Sequence, residues 1–151
     1  MKPSCRAIYG LRAVFDLAYH GGAKPMQVRD IAERTQVPAR FLEQIFQDLK
    51  RAELVESKRG PKGGYLLVVA PEDITLARIF EALEDLPQMP DVNDECAQRS
   101  LDATHVSDEA CREIVERTSQ MLEAVTVADL MHRGEAQGIQ RMCYEGFVYV
   151  I

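Results

Sequence analysis

The sequence predicts a mostly α-helical protein with a small β-hairpin wing, namely a winged helix-turn-helix followed by a long dimerisation helix. Three observations support this. Two segments with helical spacing of apolar residues adjoin at Thr35–Pro38, a Gly-rich hairpin with three cations follows at residues 58–64, and a second long helical pattern begins near Ser107. Helix-turn-helix units with a basic hairpin are built to enter DNA grooves.

The second helix of this unit is predicted to present a polar face. Its apolar residues recur every three or four positions and define one buried face: Phe41, Leu42, Ile45, Phe46 and Leu49. The opposite face carries groups that reach base edges and phosphates: Ala39, Arg40, Glu43, Gln44, Gln47 and Lys50. In the major groove Gln pairs with adenine, Glu accepts from the cytosine amine, and Arg reaches guanine or phosphate. We therefore predict that this is the recognition helix.

The hairpin that follows is predicted to be the wing. Leu54–Val55 and Tyr65–Val68 are short strand patterns around the tip KRGPKGG, in which Lys58, Arg59 and Lys62 cluster within five residues. Its glycines permit a positive φ and a close approach to phosphates, and an Arg at such a tip can enter a narrow minor groove. An ordinary solvated hairpin is the alternative, but the position directly after two helices favours DNA binding.

The charge distribution agrees with this assignment. The net charge is −6, yet residues 1–70 hold 12 Lys and Arg against 7 Asp and Glu (+5), while residues 71–151 hold 6 against 17 (−11). Positive charge is concentrated in the predicted DNA module, as a groove-binding face requires. No apolar run approaches the length of a membrane span, and the N-terminus lacks the apolar core of a signal peptide, so we expect a cytoplasmic protein without membrane contact.

The remaining segments are assigned from helix caps and breaks. We expect a first helix over Cys5–His20, a helix from Thr75 through Leu83, a loop to Val106, a long helix starting at Ser107, and a final helix from Thr126 to Gly138. The predicted units are a DNA-binding domain (1–84), a sensor loop (85–106), and a dimerisation helix with a C-terminal tail (107–151).

The long helix carries a narrow apolar stripe that predicts a homodimer. Its members are Cys111, Ile114, Val115, Thr118, Met121, Leu122 and Val125. Two-fold operators pair with dimeric readers, so we favour a subunit interface. The alternative is a helix packed only on its own domain.

The stretch FLEQIFQDLKRAELVESKRGPKGGYLL strongly resembles the Rrf-two family of bacterial winged-helix transcription regulators, which includes IscR-, NsrR- and CymR-like members. The resemblance covers roughly the first 85 residues, from YGLRAVFDLAYH through ITLARIFEALE, and resumes more weakly at residues 117–130. It implies a double-stranded DNA operator, base contacts from Glu43 and Gln44, support from Arg40, and a minor-groove role for Arg59.

The same resemblance implies a candidate sensor site for an iron–sulfur cluster. Cluster-binding members carry three cysteines in the loop before the dimerisation helix, whereas this chain supplies only Cys96 and Cys111, with His105 between them. Together with Cys5 of the partner subunit they would complete four ligands for a 2Fe-2S or 4Fe-4S cluster. The alternatives are a thiol switch, or thiols that pack as small hydrophobes without redox chemistry.

The tail RMCYEGFVYVI leaves two interpretations open. Its apolar alternation is typical of an edge strand or of a segment packed on a dimer. Some CymR-like members end in a similar sequence with a C-terminal Ile, which implies that Ile151 docks in the active site of cysteine synthase. The rival to an iron–sulfur or redox regulator is thus a cluster-free regulator of sulfur metabolism. An enzyme is not expected, because no nucleophile–base pair, catalytic carboxylate pair or Walker spacing is present.

Overall fold

The computed structural model describes residues 3–83 and 103–142. Within those ranges the helices are α1 (Cys5–Asp16), a π-helical turn (Leu17–Gly21), α2 (Val28–Thr35), α3 (Ala39–Arg51), a 3₁₀ turn (Pro71–Asp73), α4 (Leu76–Leu83), α5 (Ala103–Glu123) and α6 (Val127–Ala136). The strands are β1 (Val55–Lys58) and β2 (Gly64–Leu67). A mostly helical chain with one antiparallel hairpin confirms the predicted fold class. None of the described helices is long and apolar enough to cross a bilayer.

Helix α1 is the central packing element of the N-terminal half. Ser4 caps it, its Oγ accepting from the Ala7 N–H at 3.2 Å, and the buried face contacts α2, α3 and α4. At Gly10 an added Cβ would lie 2.0 Å from Leu83 Cδ1. The close packing of α4 on α1 therefore requires glycine at this position. The predicted helix over Cys5–His20 is α-helical only to Asp16, because residues 17–21 widen into the π turn.

The helix-turn-helix is formed by α2 and α3 around the buried residues Ile31 and Val37. Gln36 takes the left-handed conformation that ends α2 (φ +57°), and Pro38 is the N-cap of α3. Leu42, Ile45, Phe46 and Leu49 are buried as predicted. The prediction was wrong for Phe41, which is 44% exposed, because it lies at the edge of the buried stripe and leans against Tyr9 of α1.

The wing packs on the end of α3. Its register pairs Val55 with Leu67 and Lys58 with Gly64, so the hairpin tip spans residues 59–63. Tyr65 stacks on Phe46 with ring centroids 4.4 Å apart. Tyr65 also exchanges two backbone hydrogen bonds of 2.8 Å with Met26, which adds a bridge beside β2.

The two C-terminal helices return to the N-terminal core. The Leu76 N–H donates to the Val125 carbonyl and the Val127 N–H to the Ile74 carbonyl, both at 2.9 Å, and Val127 is fully buried. Helix α5 begins at Ala103, four residues before the predicted start at Ser107, so His105 lies in the helix rather than in a loop. The predicted caps at Thr75 and Thr126 are confirmed, the latter as a capping box with Asp129.

Candidate nucleic-acid interface

One side of α3 combines exposure with hydrogen-bonding groups. The apolar residues hold the opposite side in the core, which leaves the predicted contact residues facing outward: Arg40, Glu43, Gln44 and Gln47. These four follow the pattern i, i+3, i+4, i+7 and therefore share one face over about two turns. Amide, carboxylate and guanidinium groups arranged along an exposed helix match what base-edge readout requires.

The C-terminal part of α3 is fixed by polar contacts outside its apolar core. Near its C-terminus the Lys50 ammonium donates to Ser57 Oγ of β1 at 2.9 Å, which joins the helix to the wing. On its flank the Asp48 carboxylate accepts from Arg6 of α1 and from Arg51. The orientation of α3 relative to both α1 and the wing is therefore constrained.

Arg40 is held over an aromatic surface. Its guanidinium carbon lies 4.9 Å from the centroid of the Phe41 ring, and that ring lies 6.4 Å from the ring of Tyr9. Such stacking orders the side chain while leaving its N–H groups available. Phe41 and Tyr9 also border a cavity of about 380 Å³ between α1 and α3, whose wall includes Cys5, Arg6 and Gln44.

The wing presents its cations at and beside the tip. Lys58 closes β1 and lies 3.8 Å from the Glu56 carboxylate, and the exposed Arg59 and Lys62 follow on the tip. The tip is closed by a hydrogen bond from the Gly63 N–H to the Gly60 carbonyl at 2.9 Å. A Cβ at Gly64 would lie 2.2 Å from the Met26 carbonyl oxygen, so the close approach of the wing to residue 26 requires glycine there.

The predicted metal ligands are not brought together in the described residues. Cys5 is exposed at the start of α1, His105 and Cys111 are exposed on α5, and Cys96 lies outside the described residues. His105 and Cys111 are six positions apart on one helix, which separates them by roughly 9 Å along the axis and about 120° around it. Within residues 3–83 and 103–142 no group of three potential metal ligands forms.

The sequence did not predict a buried polar cluster between α1 and α2. Asp16 is 5% exposed and accepts three hydrogen bonds from Arg34 of α2 at 2.7–3.2 Å, and His20 Nε2 lies 4.0 Å from the same carboxylate. Burial lowers the pKa of His20, with Asp16 acting in the opposite direction and Arg34 and Arg141 acting with it. The position of Asp16 within an otherwise apolar helical face could have indicated this cluster from the sequence.

A second missed residue is Gln27, the N-cap of α2. Its amide donates to the Pro61 carbonyl of the wing tip at 3.1 Å. No local pattern in the sequence links residue 27 to residue 61. Cys143 and Ile151, and with them the predicted tail interaction, lie outside the described residues.

Comparison with known proteins decides the family. The family model described as "Rrf2: Iron-dependent Transcriptional regulator" matches residues 4–133. The chain belongs to the Rrf2 family. The resemblance found in the LEQ and RGPKGGYLL motifs is therefore confirmed, and the chain is a transcriptional regulator of the Rrf2 type.

Individual members of the Rrf2 family match over most of their length. The chain is 30% identical to the transcriptional regulator IscR of Aliivibrio salmonicida, over 92% of this chain and 82% of that one. The structure of T. potens IscR superposes with a TM-score of 0.74 at 30% identity, covering 93% of both chains. CymR, the global cysteine regulator of B. subtilis, superposes with a TM-score of 0.68 at 27% identity, covering 88% of this chain and 98% of CymR.

Proposed function

We propose that this Rrf2 protein is a homodimeric, sequence-specific DNA-binding regulator that reads base edges with α3 and places its wing in the adjacent minor groove. The observation that carries the proposal is the exposed row on α3 beside a wing whose tip holds Arg59 and Lys62. Glu43, Gln44 and Gln47 supply readout, and Arg40, Lys58, Arg59 and Lys62 supply phosphate or minor-groove contacts.

The surface of α5 supports dimerisation. The predicted stripe is divided: Val115, Leu122 and Val125 are half-buried toward their own domain, whereas Ile114 is 64% and Met121 73% exposed. At about 100° per residue, Ile114, Met121 and the exposed Val106 fall within roughly 80° of one another. We infer that a second copy of the chain covers this exposed apolar strip, because the helix that carries it is already anchored on its other side by α4.

The proposal is tested by titrating the full-length protein with a duplex isolated by selection from a random-sequence library. Arg59→Ala should weaken binding by roughly 1–3 kcal/mol, because it removes a cation from the groove. The matched control is Arg133→Ala, which removes the same charge from an exposed position on α6. Wild-type affinity in Arg59→Ala would refute the wing as a DNA contact.

We propose further that the regulator responds to iron or redox state through Cys5, Cys96, His105 and Cys111. Support comes from the iron-dependent description of the family and from the exposure of Cys5 and Cys111. Because His105 and Cys111 diverge on α5, a complete ligand set requires Cys96 and groups from both subunits. An iron–sulfur cluster would supply a redox-active centre there, and reversible thiol oxidation is the alternative.

The signal is tested on protein purified without oxygen, by visible absorption together with iron and sulfide assays. Stoichiometric iron and sulfide, lost in Cys96→Ala, would support the cluster. A colourless, iron-free protein that remains so after reconstitution would rule the cluster out and leave thiol chemistry, which is then measured as oxidant-dependent DNA affinity.

The rival function is regulation of sulfur metabolism without a cluster, as the structural match to the global cysteine regulator CymR suggests. In that case Ile151 would dock in cysteine synthase. A pull-down with cysteine synthase, using the full chain and a variant lacking the last four residues, separates the two. Capture that depends on those residues supports the rival, and its absence in both rejects it.

A further inference from the structure

The N-cap of α2 is occupied by a residue that does not cap. Gln27 has the extended backbone of an N-cap (φ −73°, ψ 142°), but its side chain makes no capping hydrogen bond. Ser, Thr, Asp and Asn are favoured at N-caps because their short side chains reach the first-turn N–H groups. Gln is too long for this geometry, so the side chain is free to serve elsewhere.

That side chain reaches the wing tip. Gln27 Nε2 donates to the Pro61 carbonyl at 3.1 Å, two residues beyond Arg59 and one before Lys62. The preceding residue, Met26, is already fixed to Tyr65, the second residue of β2, by two 2.8 Å hydrogen bonds. The segment leading into α2 therefore holds the hairpin at two neighbouring points, the start of β2 through its backbone and the tip through the Gln27 side-chain amide.

We propose that Gln27 is a positioning residue for DNA binding: it holds the wing tip so that Arg59 and Lys62 are oriented before DNA arrives. This inference rests on the proposed function of the wing. A tip ordered in the free protein has less conformational freedom to lose on binding, and that gain appears as affinity. Gln27 acts through the Pro61 carbonyl and does not itself need to touch DNA.

The variant Gln27→Ser separates positioning from general stability. Serine is too short to reach Pro61 but is a good N-cap, so Tm should stay the same or rise by about 2–4 °C. Affinity for the selected duplex should nevertheless fall about threefold to tenfold, the value of one hydrogen bond. A merely structural role would move both quantities in the same direction. Gln137→Ser, at the exposed C-cap of α6, is the control and should change neither.

NMR order parameters and a double-mutant cycle test the role of Gln27 further. In the free protein, NMR order parameters of the Lys62 and Gly63 amides should fall in Gln27→Ser from a rigid value near about 0.85 toward roughly 0.6. In a double-mutant cycle, Gln27→Ser should cost little once Arg59→Ala is present, because both act through the wing.

The contradicting results are distinct. Unchanged order parameters would show that Gln27 does not hold the tip. A loss of affinity additive with that of Arg59→Ala would show that Gln27 acts on DNA independently of the wing. Disordered tip amides with unchanged affinity in both Gln27→Ser and Arg59→Ala would instead refute the proposed use of the wing in binding.

Discussion

At the residue scale, the Asp16–Arg34 pair ties α1 to α2 inside the protein. Both side chains are largely buried, and the bidentate geometry satisfies the carboxylate. Removing one partner of such a pair leaves an uncompensated charge, whereas exposed pairs contribute little. Breaking the buried pair should therefore lower the free energy of unfolding much more than breaking an exposed pair does.

We predict that Arg34→Met lowers the free energy of unfolding by roughly 3–5 kcal/mol in urea titrations. The matched control is Arg51→Met, which breaks the exposed pair with Asp48 and should cost less than about 1 kcal/mol. Equal losses in the two variants would contradict the view that Asp16 depends on Arg34 for its burial.

His20 is predicted to make the packing of residues 139–142 dependent on pH. Its Nδ1 accepts from the Met142 N–H at 3.0 Å, which requires a neutral ring, and burial lowers its pKa below 6.5. The docked form therefore binds fewer protons, so docking is complete above that value and is lost as pH falls through the lowered pKa. The protection factor of the Met142 amide, which corrects for intrinsic exchange, should therefore fall as the pH is lowered below about 6.5.

The control for this pH effect is His20→Gln, in which the dependence should disappear. His132 is exposed on α6, and His132→Gln should leave the dependence intact. Amide exchange at Met142 that, after correction for intrinsic rates, is the same above and below about pH 6.5 in the wild type would contradict the proposed role of His20.

At the element scale, α6 owes its start to a reciprocal cap. Thr126 Oγ1 accepts from the Asp129 N–H at 3.2 Å, and the Asp129 carboxylate accepts from the Thr126 N–H at 2.9 Å. These contacts with Thr126 lower the pKa of Asp129. Thr126→Ala should destabilise the protein by about 1 kcal/mol, which corresponds to a fall in Tm of roughly 2–4 °C.

The measurement for this cap is a thermal unfolding scan, with Thr118→Ala as control. Thr118 lies within α5, where its hydroxyl donates to the Ile114 carbonyl of its own helix. A threonine inside a helix gains no cap, so replacement with Ala should be neutral or slightly stabilising. An equal fall in Tm in both variants would contradict the capping argument.

Several elements could be predicted from the sequence because interactions between nearby residues determine them. The buried face of α3, the cap at Thr126 and the hairpin around KRGPKGG each depend on residues within a few positions of one another. The errors have a different origin. Phe41 is exposed because it lies at the edge of the buried stripe of α3, and α5 begins at Ala103 although Ser107 has the features of an N-cap. Contacts such as Gln27 with Pro61 join distant segments, which periodicity does not encode.

At the scale of the whole molecule, α5 is both anchored and exposed. Its inner side packs against α4, while Ile114 and Met121 remain open to a second subunit. A carboxylate placed in that strip would be desolvated in the dimer interface at a high cost. We predict that Ile114→Glu shifts the protein from dimer to monomer in sedimentation velocity experiments and weakens operator binding.

The control for the dimer prediction is Glu123→Gln, an exposed position about 180° around α5 from Ile114 that should leave the dimer intact. A wild-type protein that sediments as a monomer at all concentrations would refute the dimer. An Ile114→Glu protein that remains dimeric would place the interface elsewhere.

The central claim is that α3 reads sequence and the wing adds affinity. It is tested most directly by selecting bound duplexes from a random library with the wild type and with the double variant Glu43→Ala, Gln44→Ala. The wild type should enrich a two-fold symmetric sequence, and the double variant should still bind DNA but lose base preference within each half-site. Enrichment of the same sequence by both proteins, or of none by the wild type, would contradict the account.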